Sequence, residues 1–251
     1  KGPVMTSDIP WNALGLAYFV VIWVGYGLYA KSRAKGRAKA TLSGAMRRHR
    51  DLWAERMLYR DNRIGDAALL ANQERVVGFF ASTTLLLLAA VLTALSRASE
   101  LAEITQSIPF ISNSVAELEF KFLVLALILI YAFFKVTWSL RQYGFVSVMV
   151  GSAPMPEEDL SPEDRQRFAL QLGRLMDLAG HDNNSCLRAY YFGLAVMCWV
   201  GGNVAFVVAT SLIALVLAER EFASGAVSCI RESEVDFVPL VSQGVTSTEK
   251  N

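Results

Sequence analysis

The hydrophobic positions of this chain fall into four long runs, which are separated by segments rich in charge. The runs cover residues 13–30, 76–95, 118–140 and 190–218. A helix needs about 20 apolar residues, at about 1.5 Å each, to cross the hydrocarbon core of a bilayer. Each run is long enough for one crossing. The pattern therefore predicts an all-α integral membrane protein with four transmembrane helices.

The charged residues between the runs predict the orientation. Of the 24 Lys and Arg residues, 12 lie within 31–75. Because cytoplasmic loops concentrate Lys and Arg, we expect segments 31–75 and 141–189 inside the cell. Four crossings then place residues 1–12 and a loosely ordered tail, 219–251, outside. We expect a bacterial plasma membrane protein with both termini on the periplasmic side.

The first run has a second interpretation, a cleaved secretory signal peptide. A signal peptide carries its positive charges before the apolar core. Here five cations, from Lys31 to Lys39, follow the apolar core. This order favours a retained first helix whose N-terminus faces outward.

The first cytoplasmic segment contains an amphipathic helix. Leu42, Met46, Trp53 and Met57 recur at helical spacing on one side, with cations on the other. We expect this helix to lie on the membrane surface, where the cations of segment 31–63 meet anionic lipid headgroups. A docking face for a cytoplasmic partner is the alternative interpretation.

The second cytoplasmic segment shows a clear helix start. Ser161 is a capping residue, and Pro162 follows it at the first helical position. An apolar stripe runs from Phe168 to Ala179 before Gly180, which we expect to end the helix. This short helix should cover the first cytoplasmic segment.

Polar residues at the membrane edge are the candidates for binding a solute or a lipid headgroup. Arg60 and Arg63 are predicted on one helical face below the membrane, with Asp66 three residues after Arg63. An interfacial ion-pair network that fixes the helix angle is the alternative. Arg141 and Arg188 would add positive charge near the same boundary and favour anions.

Lys135 is an ionisable residue within the third run. Ser139 and Gln142 follow on the same helical face, at i+4 and i+7. Charges inside a membrane indicate function by default. Lys135 also lies close enough to the cytoplasmic boundary for its side chain to snorkel toward water. We expect Asp66, or an acid of segment 141–189, to pair with it.

The fourth run carries small residues that suit close helix packing. Gly201, Ala205 and Ala209 recur at four-residue spacing, and Asn203 lies near the middle of the run. Small residues let membrane helices approach closely, and an amide can donate across the contact. We expect this stripe to pack inside the four-helix unit or between protomers.

Three stretches at the membrane edge together resemble a bacterial and plant membrane family called domain of unknown function 599. They are YRDNRIGDAALLAN (59–72) with GFFASTT (78–84), FFKVTWSLRQY (133–143) and NNSCLRAYYFGLA (183–195). The resemblance extends over residues 11–218 and implies a four-helix membrane fold. It implies no activity, so no functional residue is carried over from it.

Two classes of function fit the sequence. One is a homo-oligomeric pathway for a small solute or ion, biased toward anions. The other is a non-catalytic accessory subunit or scaffold of a larger membrane complex. We expect no enzyme, because no nucleophile with a base, no paired carboxylates and no nucleotide loop is recognisable. We also expect no cofactor, no metal and no nucleic acid partner; His181, Asp182 and Cys186 are interpreted as a helix connector rather than as metal ligands.

Overall fold

A computed structural model describes residues 8–36, 41–106 and 113–233, and the regular structure of this part of the chain is helical, without strands. One turn of 3₁₀-helix, Trp199–Gly201, lies between the sixth and seventh α-helices. The α-helices of the described residues are α1 (Asp8–Gly36), α2 (Leu42–Met57), α3 (Ile64–Ser96), α4 (Ala98–Gln106), α5 (Val115–Gly151), α6 (Pro162–Cys198), α7 (Asn203–Phe222) and α8 (Gly225–Glu232).

Four helices are long and apolar enough to cross a membrane, as the hydrophobic runs predicted. The spans are Trp11–Ala30 in α1, Ile64–Ser96 in α3, Val115–Gly151 in α5, and Asn203–Ile230, which covers α7 and part of α8. Local polar groups on α3 bond to their own helix, since Thr83 and Thr84 donate to the carbonyls of Phe79 and Phe80. The four-helix membrane prediction is confirmed at this level.

The predicted fourth run, 190–218, is not one helix. Instead, α6 ends at Cys198, and the chain turns through Trp199–Gly201 to Gly202, whose φ of 116° is positive. Glycine adopts this conformation without steric cost, because it has no Cβ. The helix α7 then starts in a new direction at Asn203.

The turn makes α6 a separate passage along the bundle. Its end meets the start of α5, where the side chain of Asn113 donates to the carbonyl of Val200 at 2.9 Å. Further along, Ser139 of α5 donates to the carbonyl of Ala179 at 2.7 Å, so the two helices are antiparallel. The predicted end of the helix at Gly180 is wrong, since α6 continues to Cys198. Gly180 instead leaves room for the side chain of Arg50, which lies 2.7 Å from where a Cβ would stand.

Helix α7 returns along the bundle parallel to α1. The hydroxyls of Tyr18 and Ser211 are 2.8 Å apart, and Tyr26 donates to the carbonyl of Leu217 at 3.1 Å. The described chain therefore passes along the bundle five times, in α1, α3, α5, α6 and α7.

This odd number of passages puts the two ends of the described chain at opposite ends of the bundle. Near the start of α1, the carbonyl of Trp11 accepts a hydrogen bond from Asn203. At the end of α7, Glu221 accepts hydrogen bonds from Ser43 of α2, and α8 packs against α2. Within the described residues, α6 adds a passage that the four predicted crossings did not include, so the start of α1 and α8 lie at opposite ends of the bundle. The side of the membrane on which each terminus lies stays a prediction, and residues 234–251 of the predicted tail lie outside the described residues.

Helix α2 packs on its own chain. Its buried residues Ala54 and Met57 join Leu172 and Met176 of α6 in a core at this end of the bundle. The backbone approaches closely where Gly173 faces Asp51. The apolar side predicted to enter the membrane is therefore covered by α6, as the amphipathic pattern of that helix indicated.

An aromatic cluster holds α1, α6 and α7 together. Phe206 stacks on both Trp199 and Phe19, with ring centroids 4.5 and 5.2 Å apart, and Trp23 stacks on Phe192 at 5.7 Å. Aromatic pairs in such geometry add about 0.5–1.5 kcal/mol beyond area burial. The cluster fixes α1 against α6 and α7 and leaves the side of α1 that faces α5 less filled.

Candidate functional site

A cavity of about 570 Å³ lies between α1, α5 and α6. Most of its wall is apolar, supplied by α1 from Leu16 to Leu28 and by α5 from Val124 to Tyr131. The rings of Trp23 and Tyr131 meet edge to face, 5.7 Å apart, and connect α1 with α5. The volume is in the range of sites that hold small organic ligands.

Polar side chains line one end of this cavity. Lys135 contributes from α5, and His181, Ser185 and Arg188 contribute from α6. The formally charged members of the lining are the two cations, and no carboxylate is among the described residues of the lining. We call this the cationic end of the cavity.

Lys135 is held in place by an acid behind the cavity wall. Its ammonium donates to Asp182 at 2.7 Å, and Gln142 donates to the other carboxylate oxygen at 3.2 Å. Asp182 is 8% exposed, and the side chain of Lys135 is 34% exposed. Lys135, Ser139 and Gln142 therefore share a face, as predicted. The partner is an acid of segment 141–189, and it is not Asp66.

Arg188 and Arg141 have different surroundings. The guanidinium of Arg188 donates to the carbonyl of Asn184 at 3.3 Å, within its own helix, and lines the cavity. Arg141 is exposed on α5, with its guanidinium 5.6 Å from the ring of Phe145. Of the two arginines predicted near the boundary, Arg188 is the one that reaches the cationic end.

The predicted group of Arg60, Arg63 and Asp66 makes internal contacts away from the cavity. Arg60 pairs with Asp66, which also accepts from the indole of Trp53 at 2.5 Å. Arg63 donates to the carbonyls at positions 153 and 154, at 2.7 and 2.5 Å. The two arginines lie in the turn between α2 and α3, not on a common helical face. Their geometry fastens that turn to the end of α5.

Charges also line the contact between α2 and α6. Arg50 pairs with Asp177 at 3.0 Å. Burial raises the pKa of the Asp51 carboxyl above its ordinary value; Asp177 acts in the same direction, and the cations Arg47 and Arg50 oppose it. This part of the interface consists of internally compensated charges.

The small residues of the fourth run do not form one helical stripe. Gly201 lies in the 3₁₀ turn, Ala205 is exposed, and Ala209 packs partly buried against the main core. Asn203 is the first residue of α7, at the end of the bundle and beside Gly15. The prediction that Asn203 lies near the middle of a membrane helix is wrong. The turn before it places Asn203 at the end of the bundle instead.

A second intramembrane lysine was not singled out from the sequence. Lys121 is 4% exposed and donates to Asn113 at 2.5 Å, with its ammonium 5.7 Å from the ring of Trp199. The nearby acid, Glu117, accepts hydrogen bonds from Asn12 and from the capping residue Ser114. A lysine inside an apolar run was the available signal, as it was for Lys135.

The residues interpreted as a helix connector lie within α6. Cys186 is buried, and Asp182 is committed to Lys135. Over the described ranges, no group of three His, Cys, Asp or Glu side chains is arranged to hold a metal ion.

The chain was compared with known protein families, curated proteins and solved structures. The family described as "Protein of unknown function, DUF599" matches residues 14–226. The chain belongs to this family. The match extends from α1 to the start of α8, so the whole cavity lies inside the DUF599 region, in agreement with the resemblance found in the sequence. Neither curated proteins nor solved structures give a match to the chain.

Proposed function

We propose that this DUF599 protein binds an anionic ligand at the cationic end of its cavity. The observation that carries the proposal is the charge of the lining, where Lys135 and Arg188 stand without a carboxylate among the described lining residues. Asp182 compensates Lys135 from behind the wall, whereas Arg188 faces the apolar space without an ion pair to the described residues, and a charge in such a place is costly. An anion that enters the cavity would remove this cost and gain charge-assisted hydrogen bonds.

The hydrogen bonds around the site support a binding role for its cations. Asp182 orients Lys135 from behind the wall, so the ammonium is positioned without an acid entering the cavity. Arg188 donates through Nε to a backbone carbonyl, which leaves its two terminal amino groups for a ligand. A guanidinium presents donors in a fork that matches a phosphate or a carboxylate.

The orientation that we propose follows from the charges at the two ends of the bundle. The end that holds α2 carries the cations of α2, and Arg220 near the end of α7 belongs to it as well. At the opposite end, among the described residues, Arg97 is the Lys or Arg that lies outside the packed helices. The positive-inside rule then places α2 and α8 in the cytoplasm and the start of α1 outside. We propose the plasma membrane as the location.

An anion site in this cavity does not by itself form a path across the membrane. The polar lining of the cavity is confined to one end, so transport through the membrane would need further polar surface from additional copies. The homo-oligomeric pathway and the accessory-subunit role stay predictions, as does the absence of catalysis. Lipid headgroup binding by segment 31–63 is also a prediction, with Arg60 and Arg63 already engaged internally.

The test uses purified protein in a neutral detergent and compares two small probes with the same alkyl chain. A ligand that binds the native state raises the melting temperature in proportion to its occupancy. Butyl phosphate should raise it, and butyltrimethylammonium should not. Arg188→Gln should weaken the response to butyl phosphate by about tenfold, corresponding to the loss of one charge-assisted contact.

The matched control is Arg174→Gln, which removes an exposed arginine from α6 outside the cavity. It changes the net charge equally and should leave the response intact. Equal responses to the two probes, or equal losses in Arg174→Gln and Arg188→Gln, would reject the anion site.

A further inference from the structure

We infer that the ligand is an anionic phospholipid from the leaflet on the α2 side, with one acyl chain inside the cavity. This inference rests on the proposed anion site and adds the class of molecule that occupies it. Three properties of the cavity support it: its length, the depth of its cationic end, and its opening toward the lipid.

The apolar part of the cavity is about as long as one leaflet is deep. Along α5 it runs from Val124 to Lys135, which is about 16 Å at the rise of an α-helix. Along α1 it runs from Leu16 to Leu28, or about 18 Å. Half of a 30 Å hydrocarbon core is about 15 Å. A small inorganic ion would leave most of this apolar wall empty, whereas an acyl chain would cover it.

The cationic end lies at the depth of a headgroup. Lys135 is about 30 Å along α5 from Val115, which is the thickness of the hydrocarbon core. If α5 enters the core near Val115, Lys135 and Arg188 lie at the opposite boundary, on the α2 side. A phosphate there would contact both cations while its chain extended toward the middle of the bilayer.

The cavity is open on the side that faces the lipid. Val20, Val24 and Leu28 line it and are 46%, 54% and 64% exposed. A phospholipid has two chains, and the volume of about 570 Å³ suits one of them. The second chain would remain in the bilayer through this opening.

Charge complementarity selects an anionic lipid over a neutral one. The lining presents two cations and no carboxylate from the described residues. With α2 in the cytoplasm, the opening faces the leaflet whose surface carries anionic lipids. An anionic phospholipid therefore fits this position in both shape and charge.

The experiment fills the apolar part of the cavity and leaves the cations unchanged. Gly27 lines the cavity, and a Cβ added there meets nothing within 4 Å, so Gly27→Phe should insert a ring into the space without a clash. Gly25 on the same helix is equally unobstructed but does not line the cavity. Gly25→Phe is the matched control.

Each protein is reconstituted into vesicles of equal phosphatidylglycerol and phosphatidylcholine, extracted again into mild detergent, and weighed by native mass spectrometry. The wild type and Gly25→Phe should each retain a single phosphatidylglycerol per chain. Gly27→Phe should retain about tenfold less, equivalent to about 1.4 kcal/mol of binding free energy. Arg188→Gln should lose the preference for phosphatidylglycerol over phosphatidylcholine.

Three results would overturn the inference: equal retention in Gly27→Phe and Gly25→Phe, equal retention of the two lipids by the wild type, or a retained mass that is a free fatty acid. The butyl phosphate titration separates the two proposals. If that response still depends on Arg188 while no phospholipid is retained, the anion site stands and the lipid is rejected. Loss of both responses rejects both.

Discussion

At the scale of the residue, the most consequential contact is the ion pair between Lys135 and Asp182. Its ammonium and carboxylate are 2.7 Å apart, and Asp182 is almost fully buried. A buried pair of this kind adds little net stability, because desolvation offsets the attraction. Removing one partner is costly, since the other charge then stays buried alone. The main effect of the pair is therefore to fix the position of the Lys135 ammonium.

We predict that Lys135→Met lowers the free energy of unfolding by about 2 kcal/mol, because Asp182 loses its cation. Adding Asp182→Asn should recover much of this loss, since asparagine removes the charge and can still accept from Gln142. Unfolding of the two single variants and the double variant in detergent gives the coupling energy. Strictly additive losses would show that the two residues do not interact.

Of the two residues in this pair, the sequence analysis singled out Lys135 as a site. The spacing of Ser139 and Gln142 after Lys135 identified the polar face of α5, because side chains at i+4 and i+7 share a face of a helix. The identity of the partner depends on how α5 and α6 align, across 47 residues of sequence. The local sequence around either residue does not reveal how the two helices align. Lys135 was therefore predictable as a site, and Asp182 as its partner was not.

At the scale of the element, α6 shows why hydrophobicity alone undercounts the passages. Asn183, Asn184 and Arg188 lower the apolar character of its second half, so the apolar run was counted from residue 190 and merged with α7. The adjacent glycines at 201 and 202 are a turn signal that could have divided the run. The start of α6, by contrast, was predicted correctly, because Ser161 accepts from the backbone amide of Asp164 as a capping residue does.

The contact between α2 and α6 also depends on a single small residue. A Cβ at Gly173 would lie 3.0 Å from the Cα of Asp51 and 2.4 Å from its carboxylate. We predict that Gly173→Leu separates the two helices and costs about 1–3 kcal/mol, as overpacking does. Thermal unfolding in detergent measures the loss.

The control for this prediction is Gly144→Leu on α5. Gly144 is exposed, and nothing lies within 4 Å of an added Cβ. Leucine also has a higher helix propensity than glycine, so this variant should be neutral or slightly stabilising. A neutral Gly173→Leu variant would show that α2 and α6 are not in close contact.

At the scale of the whole molecule, the helices are longer than a membrane is thick. α3 has 33 residues, and α5 and α6 have 37 each, or about 50–55 Å at the rise of an α-helix. The hydrocarbon core takes about 30 Å of this. Leu70, Val146 and Leu172 form a core with α2 at one end of the bundle. We propose that the remaining length projects there, so that this end is a helical domain outside the lipid.

The proposed orientation and the lipid inference rest on the five passages, because these set the side on which the cationic end lies. Cys229 of α8 is exposed and Cys186 is fully buried, so in a Cys198→Ser background Cys229 is the reactive thiol of the described chain. A second protein lacks Cys198 and Cys229 and carries Glu103→Cys, at an exposed position of α4 at the opposite end.

Labelling of these two proteins in intact cells with a membrane-impermeant maleimide is the most direct test. Five passages with α2 in the cytoplasm predict that the thiol at position 103 reacts in intact cells. Cys229 should react only after the membrane is opened. Equal labelling of both positions in intact cells would mean an even number of crossings between α4 and α8. That result would contradict the fold and the position of the cationic end.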